Sequence, residues 1–230
     1  MQKKGVEIWD LVEMLLLTVR TILLFGPPGT GKSYAGHTMQ MSNRELFTLT
    51  LTEDTPAAEL RGHYIPKGQE FVWQDGPVIK AWRQGGRLVI NEINHAGGDV
   101  MSFLHAALDT PETARLTLPT GEMVVPSKDF QIVATMNGHP DELPDALRDR
   151  FPVAIEIPEP HPAGIASLPE DLREIARNTA VAPIERRISL RQWLAFAALR
   201  THVGERDAAF SVFGHRADEI MTTMSITISG

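Results

Sequence analysis

The 230-residue sequence predicts an α/β fold, a parallel sheet flanked by helices with a small C-terminal helical lid. Three observations carry the prediction. Short β-rich runs alternate with helical stretches over the first two thirds of the chain. A glycine-rich loop joins the first of these runs to a helical stretch. After the Pro-Glu-Pro-His-Pro segment at 158–162, the composition is helical.

The five β-rich runs are 21–25, 46–51, 87–91, 130–136 and 153–157. Each is short and nearly continuous in apolar residues, as strands covered on both faces are, so a parallel sheet is expected. The helical stretches after the hinge are 169–180, 190–202 and 205–223, and only the last few residues alternate like a strand. The expected organisation is a nucleotide-binding core at 1–158 and a lid at 159–230, divided at the Pro-rich hinge. Near the N-terminus, Met14, Leu15, Leu16 and Leu17 read as core of a first helix.

Composition excludes several classes. Apolar residues make up 43%, but no run approaches the roughly 20 residues that span a bilayer. The nearest, 11–25, is broken by Glu13, Thr18, Arg20 and Thr21 and runs into a glycine loop rather than a cleavage site, so no targeting signal is expected. With no cysteine there is neither disulfide nor thiolate metal site, which agrees with a cytoplasmic location. The eight histidines show no paired spacing, so zinc is not expected. A formal charge of −7 provides no global basic surface; the balance favours protein partners, and nucleic acid would need a local patch.

The run Gly26-Pro27-Pro28-Gly29-Thr30-Gly31-Lys32-Ser33 fits G-x-x-x-x-G-K-[ST], following a predicted strand and preceding a helical stretch. The fold is thereby narrowed to a P-loop NTPase. Glycines let backbone N–H groups turn inward around phosphates, and the following helix offers the positive end of its dipole. Lys32 should reach the β- and γ-phosphates and Ser33 should ligand Mg²⁺, with Tyr34 adjoining the ATP-binding segment.

At the end of the third run stand Asn91 and Glu92, where such an enzyme carries its metal-facing and water-activating side chains. The usual first residue is aspartate. Asn91 keeps one oxygen and loses the charge, so weaker magnesium binding is expected. Glu92 can still polarise the attacking water, and turnover is expected to be slowed rather than lost. A nucleotide-binding domain that barely turns over is the alternative.

With these motifs, the chain resembles the AAA+ ATPases. Asn137, ending the run Ile132-Val-Ala-Thr-Met-Asn137, is similar to the family's sensor 1, which implies a role between water and γ-phosphate; a helix-capping asparagine is the alternative. The segment Leu147-Arg148-Asp149-Arg150-Phe151 resembles the one carrying the arginine finger that reaches a neighbour's ATP. Arg150 is the first choice and Arg148 the second, against a surface pair with Asp149 or Asp145. Ser189-Leu-Arg191 is similar to sensor 2, which implies a contact of Arg191 with nucleotide; a solvated helix face is the alternative.

The stretch from Glu59 to Gly86 resembles the helix-2 insert of the MoxR-like and midasin-related branch (dynein-related type), whose loops face a central pore or a substrate. Phe71 and Trp73 are then candidate contacts, or else ordinary packing. A second hairpin around Pro119-Thr-Gly121 resembles the pre-sensor-1 hairpin. His95 and His139, just after the strand-end motifs, either face the nucleotide or take structural hydrogen bonds. The resemblance covers most of 20–157 and thins across the lid.

The resemblance implies an ATP- and Mg²⁺-using motor or chaperone that forms a homo-oligomeric ring, expected to be a hexamer. Its partner would be a protein substrate or a von Willebrand A-type protein. A nucleic-acid motor like the McrB-type restriction ATPases and an ATP-binding switch are the rival readings.

Overall fold

The computed structural model describes residues 7–41 and 43–228. These form two compact units, the first of residues 7–26 and 32–156, the second of residues 27–31 and 157–228.

In the first unit, β1 (Thr21–Phe25), β2 (Leu46–Thr50), β5 (Arg87–Asn91), β8 (Gln131–Thr135) and β9 (Val153–Glu156) make one parallel sheet in the order β2-β5-β8-β1-β9. All five predicted strands are present. Two end a residue early, since Leu51 and Ile157 are buried beyond the ladder, and β8 loses Phe130 and Met136 from its ends. The intervening elements are α1 (Ile8–Thr18), α2 (Lys32–Thr38), α3 (Ala57–Arg61), the antiparallel hairpin β3 (Gly62–Lys67) and β4 (Glu70–Asp75), α4 (Pro77–Gln84), α5 (Gly98–Ala107), the hairpin β6 (Leu116–Thr117) and β7 (Met123–Val124), and α6 (Asp145–Arg148).

Side-chain alternation divides the core between the two faces of the sheet. Leu88, Ile90, Ile132 and Ala134 join the cluster with Val78 and Trp82 of α4 and Val100 and Leu104 of α5. Val89 and Val133 point the other way, against Gly36 of α2; a Cβ at Gly36 would meet their methyl carbons at 3.2–3.3 Å. The first helix corrects the expectation of a Met14–Leu17 core. Trp9, Val12 and Leu16 are buried at helical spacing, whereas Met14 and Leu17 are exposed, because one i, i+3, i+7 stripe of the helix faces inward and the rest faces solvent.

The N-terminal ends of the strands are tied by an unusual polar hub. Arg87 is fully buried, and its guanidinium donates to the carbonyls of Gly36 in the last turn of α2 and of Met39 and Gln40 just past it, and to Gln131 Oε1. Gln131 in turn donates to the Leu16 and Val19 carbonyls at the end of α1. Helix C-termini attract cations because their last carbonyls lack partners. Burial and the like charge of Arg44 push the Arg87 guanidinium down to about 10.

The two hairpins are joined through Arg83 of α4, which donates to Asp75 Oδ2 and, through both terminal nitrogens, to the Glu122 carboxylate at 2.7 and 2.8 Å. Trp73 packs against the main core, meets Tyr64 edge-on, and donates its indole N–H to Asp75. Phe71 is 74% exposed, so of the two aromatic candidates Trp73 serves the packing role and Phe71 is left facing solvent.

The second unit contains α7 (Pro162–Ala166), α8 (Glu170–Ala180), α9 (Leu190–Val203), α10 (Glu205–Phe213) and α11 (Ala217–Ile228). Its core stacks Trp193, Phe196 and Phe213 with centroids 5.1–5.9 Å apart, and Trp193 donates to Thr179 Oγ1. The single helix expected over 205–223 is two, because Gly214 at φ 61°, ψ −128° leaves the helical region. The strand-like alternation at the end is also helix, since α11 runs to Ile228.

Candidate nucleotide site

The glycine-rich loop leaves β1 at Gly26 and enters α2 at Lys32. Gly26, Gly29 and Gly31 have φ of 125°, 78° and 104°, a region closed to most side chains. Loop residues Pro27, Pro28, Gly29, Thr30 and Gly31 belong to the second unit, where the His161 N–H donates to the Thr30 carbonyl at 2.8 Å. There a Cβ on Gly29 would lie 2.8 Å from Ser189 Cβ.

In the first unit, the predicted polar residues converge at the C-terminal ends of the strands. Lys32 is buried, and its ammonium donates to the Gly26 carbonyl and to Asn137 Oδ1, both at 3.0 Å. Asn137 then donates Nδ2 to both carboxylate oxygens of Glu92 at 3.0 Å. Lysine, asparagine and glutamate thus form one chain of bonds from the loop helix across β8 to β5. Burial pushes the Lys32 ammonium down to about 8, with the Glu92 charge opposing the shift.

Glu92 holds its place with a left-handed backbone, φ 55° and ψ 49°, one of two non-glycine residues with positive φ among those described. Such a conformation costs on the order of 1 kcal/mol or more and turns the chain off the sheet. The residue before it is differently engaged. The Asn91 amide donates to the Leu49 carbonyl at a long 3.5 Å, and its Oδ1 accepts from the Thr135 hydroxyl at 3.2 Å. Thr135 is a buried polar residue that sequence reasoning missed; the available signal was a hydroxyl at the end of an apolar strand, two residues before Asn137.

Ser33 is half-buried on the first turn of α2 and Tyr34 is exposed beside it. The donor set fits a cation that arrives with phosphates. It offers the neutral Ser33 hydroxyl, while the Asn91 amide already bonds Leu49 and Thr135, and the described residues contain no cluster of three His, Cys, Asp or Glu.

Further along the first unit, Arg148 is locked between Asp141 and Asp145 at 2.8 and 2.7 Å, the surface pairing anticipated for one of the two arginines. Arg150 is held loosely, to the His105 carbonyl at 3.4 Å and Asp149 at 3.5 Å. Arg191 lies exposed in the first turn of α9, in the second unit, behind a Ser189–Gln192 capping box. His139 takes a structural role, accepting from Asp141 N–H and meeting Phe25 edge-on, and His95 is exposed. No described helix is long and apolar enough to cross a membrane.

A parallel sheet whose first strand feeds a glycine loop and a lysine-headed helix, with Asn91, Glu92 and Asn137 at the ends of the next strands in the ladder, defines a P-loop NTPase. The chain belongs to the AAA domain family, dynein-related subfamily, whose family model matches residues 21–151. It is 37% identical over 150 residues to Protein NorQ of Paracoccus denitrificans, covering 62% of this chain and 54% of that protein. It is 35% identical over 160 residues to the uncharacterized protein SSP1341 of Staphylococcus saprophyticus, covering 65% and 60%. A candidate ATPase of Cytophaga hutchinsonii shares the fold with a TM-score of 0.54 at 23% identity, over 69% of this chain and 48% of that one. These findings agree with the MoxR-like AAA+ resemblance. The chain spans little more than half the length of the curated relatives it matches.

Proposed function

We propose that this protein binds and hydrolyses ATP and that it works as a ring-forming motor that remodels a protein partner. The observation that carries the ATPase reading is the bonded series Lys32–Asn137–Glu92, which puts a phosphate-binding cation, a neutral sensor and a general-base candidate in one contiguous group. Residues 26–31 would wrap the phosphates with backbone N–H groups, with Lys32 countering their charge and Ser33 and Tyr34 lining the first turn of the helix. Asn137 would orient the attacking water and Glu92 would take its proton.

On the metal-facing side stand Ser33 and Asn91, both neutral. Magnesium, when bound, offsets phosphate charge and polarises the γ-phosphoryl group. Arg150 is the better finger candidate, since it has no short ion pair to break before reaching a neighbour's phosphate, whereas Arg148 has two. Arg191 is proposed to sense the nucleotide from the 159–230 lid. A cytoplasmic location and a hexameric ring complete the reading, with Phe71 as a contact for the remodelled protein.

The neutral Asn91 also supports a second reading, in which ATP binding and assembly carry the signal and hydrolysis is slight. Phosphate release from purified protein, measured across protein concentrations, tests both. Release that rises steeply with concentration and stops in Glu92→Gln is expected of the motor. Release at background with nucleotide-dependent assembly would leave only the switch, and a monomer at every concentration would remove the ring.

A further inference from the structure

We propose that Asn91 is a neutral bridge between three strands rather than a metal ligand, so that ATP affinity in this chain depends only weakly on a divalent cation. The inference rests on the reading of 26–33 as a triphosphate site and concerns what stands on its metal side.

The bonds of residue 91 call for one donor and one acceptor. Its neighbour on β2 offers the Leu49 carbonyl, which can only accept, and its neighbour on β8 offers the Thr135 hydroxyl, here donating. The register agrees: Thr50 pairs with Asn91 across β2–β5, and Ile90 pairs with Ala134 across β5–β8, so residue 91 sits beside 135. An amide satisfies both neighbours. A carboxylate would turn its second oxygen onto the Leu49 carbonyl, lone pair against lone pair.

Thr135 is 2% exposed, and a buried hydroxyl needs a partner. Asn91 Oδ1 is that partner, so the neutral oxygen a metal would use already shares its lone pairs with a buried donor. The carboxylate at this edge, Glu92, accepts from Asn137 on both oxygens. At this strand edge the Asn91 oxygen is neutral and shared with Thr135 and each Glu92 oxygen is engaged by Asn137, which leaves the Ser33 hydroxyl as the protein's main ligand to an ion carried by the phosphates. Thr135 is accordingly a positioning residue, fixing which way the Asn91 amide faces.

The test measures the Kd of a fluorescent ATP analogue for the full chain with excess Mg²⁺ and with EDTA. The expected ratio for the unaltered chain is below about fivefold, a difference of under about 1 kcal/mol. Asn91→Ala should move both affinities together and keep that ratio. In the ligand-free protein, Thr135→Val should lower Tm by several degrees, Thr135→Ser should restore it, and the Thr135→Val/Asn91→Ala pair should be less than additive.

A magnesium advantage above tenfold that disappears in Asn91→Ala would overturn the bridge while leaving the triphosphate site standing. If Asn91→Ala does not fold, a tenfold advantage in the unaltered chain that Thr135→Val enlarges by releasing the Asn91 oxygen overturns it equally. Failure of the analogue to bind at all, or binding indifferent to Lys32→Ala, would instead count against the site itself.

Discussion

Asn137 grips Glu92 by both carboxylate oxygens at 3.0 Å while accepting a bond from Lys32. A carboxylate held this way has one lone pair of each oxygen engaged by an amide and is a weaker base for water while the grip lasts. Binding of a γ-phosphate would draw Lys32 away from Asn137 and loosen the grip. Asn137→Ala is therefore expected to change nucleotide Kd by less than about threefold but to slow phosphate release by about 10–100-fold, since water loses its orienting group. Equal losses in binding and turnover would argue that Asn137 only supports the fold.

Lys32 gives the site a pH signature. Its ammonium is pushed down to about 8 by burial, and it must carry charge to hold phosphate. Above pH 8 the free protein has lost this proton, so binding must take one up, and Kd should weaken by up to about tenfold per pH unit. Below pH 8 this dependence vanishes. The stability of the ligand-free protein runs the other way: the folded value lies below the ordinary lysine value of 10.5, so the charged form costs stability and that cost fades as pH rises from about 8. Titrating the ATP analogue from pH 7.5 to 9.5 checks the sign, and a flat profile would contradict it.

Arg150 and Arg148 can be separated by mixing. Arg150→Ala should leave ATP affinity nearly intact and reduce phosphate release by about a hundredfold or more, as loss of a trans-acting guanidinium does. Blending it with Lys32→Ala subunits should recover part of the activity, because each supplies what the other lacks. Arg148→Ala should cost at least tenfold less, its exposed pairs with Asp141 and Asp145 contributing about 1 kcal/mol or less to stability. The opposite ranking would transfer the role to Arg148.

Gly29→Ala tests the loop. At φ 78° a Cβ is strained by about 1–2 kcal/mol, and here it would also press on Ser189 at 2.8 Å. We expect a lower Tm and an ATP Kd raised by at least about tenfold; Ser189→Gly in the same chain should recover part of the Tm. Unchanged binding would mean that residues 27–31 do not hold the nucleotide.

What the sequence disclosed was whatever is encoded locally. The glycine loop was legible because its backbone demands glycine at fixed spacing, and the five strands because each is a short apolar run. The residues that end those strands, Asn91, Glu92 and Asn137, were found by position along the chain. Their mutual bonding was not, because it depends on the strand order β5-β8. Thr135 and Arg87 escaped for a related reason: a threonine in a strand and an arginine at a strand's start look ordinary until residues 44 and 51 positions away supply their partners. The break at Gly214 was missed because glycine inside a helical pattern is tolerated often enough to hide a turn.

The brevity of β5 has a consequence of its own. Side chains swap sides at every step along a strand, and Glu92 ends the run by swinging into a left-handed turn immediately after Asn91. Inserting or deleting a single residue between Arg87 and Asn91 would turn the amide to the other face of the sheet and carry the following acid with it, while the buried arginine stayed fixed at the other end. The spacing of the chemistry is thus counted out in residues from an anchor at the bottom of the sheet, and a frame slip there would be more damaging than the loss of any one bond at the top.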